Sequence, residues 1–173
     1  MRNDRNLNFD VALIAEFWVV LMAEQIPKYT QGQSRSVAGF CYLQALKVLS
    51  GELNVHNDDS DFLLLPMDML AGFVLELFFK AHLLHNGVPD RDVRRFGHDL
   101  DAALSKSKEL GLPFVAGLDE LVSDIGAGHK DFTFRYVESG GDVPKVSWKK
   151  VIPILDALRA EVGRSDPQYT ADA

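Results

Sequence analysis

The chain has 173 residues, a formal net charge of −7 at pH 7 and an apolar fraction of 47%, values typical of one soluble domain with its own core. The acidic balance excludes generic binding to a phosphate backbone, which needs a basic surface, and leaves only a local basic patch open. The single cysteine, Cys41, excludes an intramolecular disulfide, and the polar N-terminal decapeptide lacks the apolar core of a signal peptide. We therefore expect a cytoplasmic protein.

Apolar residues recur at helical spacing along most of the chain. They predict an all-α fold, a single helical bundle of about five to six helices with an up-and-down antiparallel core. Asn86 and Gly87 end the third helix, and Gly51 is expected just after the second. Pro66 and Pro153 are expected in first turns, where proline removes no hydrogen bond. The predicted helices cover, in chain order, residues 10–25, 37–49, 66–85, 99–109, 113–125 and 151–162.

The third predicted helix is apolar almost all round and long enough to raise the question of a membrane span. It also contains Asp68, Glu76, Lys80 and His82. A charge near the middle of a spanning helix costs a few kcal/mol on insertion scales. We therefore expect the central helix of a bundle and no membrane partner.

The segments between the helices are polar. Residues 51–61 are predicted to be a loop, and residues 132–148 combine β-branched and aromatic residues around Ser139, Gly140 and Gly141. That composition suits a short β-hairpin or an irregular loop. We expect one domain over residues 1–173, with an ordered core from 9 to 163 and frayed termini.

The familiar sequence signatures of catalysis and cofactor binding are absent. The chain has no glycine-rich phosphate loop, no cysteine pair for zinc, no HExxH and no GxSxG. His82 and His85 share a helix face and, with His98 or Glu76, are candidate metal ligands, although the spacing is weak evidence. Histidines near a helix C-terminus are equally favoured by the helix dipole. The sequence therefore predicts no cofactor and no metal.

Glu76 and Lys80 lie four residues apart in an otherwise apolar helix. An exposed pair of this kind contributes a few tenths of a kcal/mol, whereas a buried pair needs further partners to offset its desolvation. His98 and Asp99, which enter from the following loop, are the nearest candidates. We therefore predict a structural polar cluster of Glu76, Lys80, His98 and Asp99.

Three short strings, LELFFKAHLLHNG, FGHDL and FRYV, occur in this order within residues 70–137. Together they resemble the HEPN superfamily of compact helical domains. Specificity comes from the order and spacing of the strings, since each is short. The matching residues are Glu76 and Lys80 of an E-x-x-x-K helix, His98, Asp99 and Leu100 of a small turn, and Arg135 and Tyr136 of an R-Y-P-like element in which Val137 replaces the proline.

The resemblance implies an antiparallel helical bundle that is often dimeric and is associated with nucleotide or RNA binding. Active HEPN members cut RNA without a metal, at an R-x(4–6)-H motif that both copies form at a dimer cleft. Arg91 and His98 have this spacing, and Asp92 is of the polar type preferred after the arginine. However, Pro89 precedes the segment and Gly97 interrupts it, so the two residues are expected on a loop rather than on a helix.

His98 and Asp99 also stand where a helix begins, and their side chains suit the capping of free backbone amides. We therefore expect a nucleotide- or RNA-binding accessory domain, homodimeric and without a clear catalytic centre. One alternative is a metal-independent ribonuclease with Arg91 and His98 as catalytic candidates. Another is a helical scaffold that binds a partner protein. The candidate binding residues are Arg94, Arg95, Arg135 and Tyr136.

Overall fold

The computed structural model describes residues 29–53, 61–132 and 147–166, and over these ranges the backbone forms helices and turns without a β-strand. The described helices pack as a bundle, which confirms the predicted all-α class. Their bounds are α1 (Gln31–Leu53), α2 (Asp61–His85), α3 (Asp90–Val93), a 3-10 turn (Arg94–Phe96), α4 (Leu100–Glu109), α5 (Leu118–Lys130) and α6 (Trp148–Arg164).

Helix α2 is the centre of the bundle, because it contacts each of the other described helices. Its side chains Leu75, Phe78 and Phe79 are almost fully buried, and they share one core with Leu43 of α1 and Leu155 of α6. Full burial of each such side chain contributes about 1.5–3 kcal/mol relative to leaving it exposed. Within the described ranges no helix has both the length and the apolar character that crossing a membrane requires.

Helix α1 begins earlier and ends later than predicted. It begins with a reciprocal capping box, in which Thr30 Oγ1 accepts the Gln33 amide at 3.2 Å and Gln33 Oε1 accepts the Thr30 amide at 3.0 Å. The prediction that Gly51 follows the helix is wrong, because α1 continues through it to Leu53. Part of the segment predicted to be a loop is therefore helical.

The start of α2 was also predicted too late, whereas its end is confirmed. The helix begins at Asp61, so Pro66 lies within it and not in its first turn. It ends at His85, where Gly87 has a φ of 81° and the Val88 amide bonds to the Leu83 carbonyl at 3.0 Å. This is the left-handed ending that a glycine permits.

Helices α5 and α6 differ from the prediction at their starts. Helix α5 begins at Leu118, after Gly117 with a φ of 80°. Phe114, which falls inside the predicted helix over residues 113–125, lies in the preceding loop and is 84% exposed. Helix α6 begins at Trp148, so Pro153 stands inside it, one turn later than expected. Apolar spacing located both helices, but their first turns depend on local backbone geometry that the spacing does not report.

Three predictions fall on residues outside the described ranges. These are the helix over residues 10–25, most of the hairpin or loop over 132–148, and the frayed termini. Trp148, at the end of the predicted hairpin, belongs to α6.

Candidate functional site

One face of α2 carries a polar stripe along an otherwise apolar helix. Asp68, Gly72, Glu76 and Lys80 follow one another at four-residue spacing, which places each next to the one before it in a stripe that turns by about 40° per step around the helix. Asp68, Glu76 and Lys80 are all buried. Because an unpaired buried charge costs several kcal/mol, the partners of these three groups decide what the face can do.

Glu76 is the centre of a buried hydrogen-bonded group that we call the Glu76 cluster: Glu76, Lys80, His98 and His129. Lys80 Nζ donates to Glu76 Oε1 at 2.6 Å and to the carbonyl of Gly97 at 2.6 Å. His98 Nδ1 lies 2.8 Å from Glu76 Oε2, and His129 Nε2 lies 2.7 Å from the same oxygen. Both oxygens of the carboxylate thus have close donors, as a buried carboxylate requires.

The ionisation of Glu76 follows from these contacts. Burial raises the pKa of the carboxyl, but the hydrogen bonds from His129, Lys80 and His98 together outweigh it and lower the pKa from 4.5 to about 2. Glu76 is therefore negatively charged at physiological pH. This charge lies on α2, and the side chains of Lys80, His98 and His129 contact it from α2, the turn before α4 and α5.

The turn before α4 brings His98 to this carboxylate. Gly97 has a φ of 55°, a conformation that glycine adopts without strain. Asp99 caps α4, since its Oδ1 accepts the Ala102 amide at 3.0 Å, and its Oδ2 accepts Lys130 Nζ at 2.7 Å. Asp99 therefore ties α4 to the end of α5 and does not contact Glu76, although it was grouped with the polar cluster.

Aromatic rings surround His98. Its ring packs edge-to-face on His129, with centroids 5.5 Å apart, and on Phe132, with centroids 4.9 Å apart. The His98 side chain is 34% exposed, whereas those of Glu76 and His129 are buried. His98 is thus the member of the Glu76 cluster that solvent reaches most easily.

His129 is the residue of the site that sequence reasoning missed. It belongs to α5, which was predicted to end at Ile125 and instead continues to Lys130. Its position continues the buried face of Leu121 and Ile125 by one further turn. A histidine at an apolar position of an amphipathic helix was the available signal, and the early helix end concealed it.

The ring of His129 packs directly on the backbone of α2. A Cβ added at Gly72 would lie 2.3 Å from His129 Nδ1, which is well inside van der Waals contact. Glycine at this position therefore permits the close approach of α5 to α2 that brings His129 to Glu76.

We expect Gly72→Ala to destabilise the protein by about 1–3 kcal/mol, the usual cost of overpacking a core, since the buried ring cannot move without losing its bond to Glu76. Urea unfolding followed by circular dichroism measures this. Gly51→Ala is the control, because a Cβ there meets nothing within 4 Å and alanine is favoured over glycine inside a helix by about 0.5–1 kcal/mol. Equal stabilities of Gly72→Ala and the wild type would contradict the close packing.

The three arginines near His98 lie on α3 and the 3-10 turn. Their side chains are 82% exposed for Arg91, 70% for Arg94 and 78% for Arg95. Each has an acidic neighbour in the same segment, either Asp90 or Asp92. No hydrogen bond or ion pair joins Arg91 to His98 in the described part of the chain. The candidate binding residues Arg135 and Tyr136 lie outside the described ranges.

Asp68, at the start of the stripe, is 1% exposed, and neither carboxylate oxygen has a hydrogen-bond partner within the part of the chain that the structure describes. Burial raises its pKa from 3.8 to about 7. An unpaired buried carboxylate is costly and needs an explanation beyond packing.

His82 and His85 lie apart from the Glu76 cluster, at the C-terminal end of α2. Their Nδ1 atoms lie 3.2 and 3.4 Å from Ser165 Oγ, which itself donates to the carbonyl of Val162 at 2.7 Å. Burial lowers the pKa of both histidines. Because the Ser165 proton is already donated to a carbonyl, the arrangement does not activate Ser165 as a nucleophile.

No protein-family model, curated protein or solved structure matches the chain. Its function is therefore inferred from its own residues.

Proposed function

We propose that the protein is a HEPN-like accessory domain that binds a nucleotide or RNA through the surface of α3 and the 3-10 turn. The observation that carries this proposal is the exposure of three guanidinium groups, from Arg91, Arg94 and Arg95, on the short segment that leads to His98. Guanidinium groups bind phosphate in a bidentate manner and stack on bases. The order of the E-x-x-x-K, GHDL and R-Y strings supports the same class.

The acidic neighbours of these arginines do not prevent phosphate binding. Arg94 Nε bonds to Asp90 at 2.5 Å, and Arg95 bonds to Asp92 at 3.0 Å. Both guanidinium groups are largely exposed, and ion pairs at the surface contribute about 0–1 kcal/mol, so exchanging them for a phosphate costs little. Asp90 would keep Arg35 as a partner at 2.7 Å, and the fold around it would be retained.

The test is binding of a labelled single-stranded RNA at low salt, measured by fluorescence anisotropy. We expect the wild type to bind and the triple variant Arg91→Gln, Arg94→Gln, Arg95→Gln to bind at least about tenfold more weakly. The slope of log K against log salt should fall in magnitude by about 2, since each phosphate contact to a single strand contributes roughly 0.7.

The matched control removes three exposed cations elsewhere: Lys106→Gln, Lys108→Gln and Arg164→Gln. These side chains also have acidic partners, Glu109, Asp119 and Glu161, and the net charge changes by the same amount. Its affinity and salt slope should match those of the wild type. A wild type that binds neither RNA nor nucleotides, or an equal loss in both triple variants, would contradict the proposal.

One observation favours a metal-independent ribonuclease as a second candidate. The Glu76 carboxylate holds His98 by its Nδ1, and the opposite ring nitrogen, Nε2, has no hydrogen-bond partner in the described ranges. A carboxylate that orients a histidine and stabilises its imidazolium form is the arrangement of general acid–base catalysis. Arg91 would then stabilise the phosphate charge.

Cleavage of RNA in the presence of a chelator tests this candidate. His98→Gln and Arg91→Gln should each abolish cleavage, and His85→Gln, which changes a histidine outside the cluster, should retain it. Cleavage that survives in His98→Gln, or its absence in the wild type, would leave the non-catalytic binding domain.

Homodimerisation and a cytoplasmic location are parts of the proposal, and a scaffold that binds a partner protein is its alternative. The resemblance to HEPN domains supports the dimer, and the free cysteine Cys41 suits a reducing compartment. Light scattering on the purified protein measures the dimer. A stable complex with another protein, without RNA binding, would favour the scaffold.

A further inference from the structure

Three potential metal-ligand atoms converge at Glu76, where His98 and His129 lie within hydrogen-bond distance of the same carboxylate oxygen. We propose that Glu76, His98 and His129 form a binding site for a first-row transition-metal dication such as Zn²⁺. Their ligand atoms, a carboxylate oxygen and two imidazole nitrogens, all lie within 4.8 Å of one another. Two histidines with one carboxylate are a common ligand set for zinc and for non-haem iron(II).

The two carboxylate oxygens of Glu76 contact different neighbours. Lys80 binds Oε1, and both histidines contact Oε2. A metal at Oε2 would therefore replace two N–H···O contacts and leave the Lys80 ion pair in place. Because Lys80 also donates to the carbonyl of Gly97, its ammonium stays on the opposite side of the carboxylate. Its positive charge repels a bound dication and therefore lowers the metal affinity of the site.

The distances require a small adjustment that the structure permits. The nitrogens lie 2.7 and 2.8 Å from Oε2, whereas ligands of a tetrahedral zinc lie about 3.4 Å apart. His129 is buried against Gly72 and is the fixed ligand. His98 is on a turn and is partly exposed, so its ring can retreat by roughly the 0.6 Å that these ligand separations imply. The separation between His129 and Oε2 must widen by a similar amount, so the Glu76 side chain has to shift as well.

Metal binding also changes which ring nitrogens carry the protons. His98 Nδ1 and His129 Nε2 must offer lone pairs, so their protons move to the other nitrogen of each ring. For His98 that nitrogen has no hydrogen-bond partner among the described residues and can donate to water. For His129 it is Nδ1, which lies against Gly72, one turn from the unpaired carboxylate of Asp68 on the same face of α2. A histidine that binds a metal through one ring nitrogen commonly donates its other ring N–H to a carboxylate. No hydrogen bond joins Asp68 to His129 among the described residues, so the carboxylate would have to turn toward Nδ1 to accept its proton. We assign Asp68 this positioning role in the metal-bound state.

The proposal is independent of the RNA-binding proposal, since none of the exposed arginines takes part in the site. It is tested by adding Zn²⁺ and, separately, Co²⁺ to the purified full-length chain. Calorimetry measures the Zn²⁺ affinity and stoichiometry, and the visible absorption of Co²⁺ reports its coordination geometry. We expect one metal ion per chain and a tetrahedral or five-coordinate Co²⁺ spectrum.

The variants separate this site from adventitious binding to other histidines. Mutation of a group that hydrogen-bonds a metal ligand typically costs 10–100-fold in metal affinity, so we expect Asp68→Asn to cost about tenfold. His98→Gln removes a direct ligand and should cost at least about 100-fold. His85→Gln, which removes one of the neighbouring His82 and His85 pair, is the matched control and should bind as the wild type does. His98→Gln also avoids the folding problem expected for a change at buried His129.

Two results would overturn the proposal. One is a wild type that binds neither Zn²⁺ nor Co²⁺ stoichiometrically. The other is metal binding that persists in His98→Gln and disappears in His85→Gln, which would place the ion at the end of α2. RNA binding is measured in a separate experiment, so a protein that fails to bind RNA would produce neither of these two results.

Discussion

Replacement of Glu76 by glutamine is expected to lower the free energy of unfolding at pH 7 by about 3 kcal/mol. The variant removes the carboxylate that pairs with Lys80, whose side chain is buried and would be left without a counter-ion. Breaking a buried pair from one side typically costs 3–5 kcal/mol. Chemical denaturation followed by circular dichroism measures the loss.

The pH dependence of this effect has a definite sign. The pKa of Glu76 is lowered from 4.5 to about 2 by folding, so the folded state favours the ionised form. The stabilisation is fully present above pH 4.5 and disappears as the pH falls toward 2. The difference between the wild type and Glu76→Gln should therefore shrink over this window.

The double variant Glu76→Leu, Lys80→Met is the control for the ion pair. Replacing both members of a buried pair by apolar residues of similar volume is often neutral or stabilising. We expect the double variant to be more stable than Glu76→Gln, with the histidines as the groups left short of an acceptor. If Glu76→Gln were as stable as the wild type at pH 7, the cluster would contribute nothing to the fold.

The opposite effect is expected at Asp68, where asparagine should stabilise the protein by as much as about 4 kcal/mol at pH 8. Burial raises the pKa of Asp68 from 3.8 to about 7, so the folded state binds a proton that the unfolded state releases. The resulting decrease in the free energy of unfolding is absent below pH 3.8, grows as the pH rises, and is complete above pH 7. Asparagine keeps the shape and cannot ionise.

Thermal and urea unfolding at pH 3.5 and pH 8 measure this prediction. The increase in the free energy of unfolding caused by Asp68→Asn should be present at pH 8 and nearly absent at pH 3.5. Asp124→Asn, an exposed change on α5, is the control and should stay within about 0.5 kcal/mol at both values. A gain of equal size at both pH values would mean that the penalty of Asp68 is not ionic.

The destabilising carboxylate of Asp68 is explained if it has a function. Strained or unpaired groups concentrate at functional sites, where stability is lost for activity. If Asp68 orients His129 for a metal, Asp68→Asn should be more stable and bind Zn²⁺ more weakly. An Asp68→Asn variant that is more stable with unchanged metal affinity would remove this role and leave the direct ligands in place.

The sequence by itself predicted the features that depend on neighbours a few residues apart. The pairing of Glu76 with Lys80 follows from one helical turn of spacing, and the end of α2 follows from Asn86 and Gly87. Asp99 as the cap of α4 follows from residue type at a helix start. Apolar periodicity also identified α2 as the central helix. These are local properties, because helical hydrogen bonds and caps join residues three or four positions apart.

Only the tertiary structure decided which groups meet at the centre of the site. His129 lies 53 residues from Glu76 along the chain, and their contact depends on α5 packing on α2 at Gly72. Asp68 was expected to be one charge among several, and its isolation becomes visible only when the surrounding helices are placed. Contacts of this kind depend on the approach of helices and on burial, which no spacing within one segment reports.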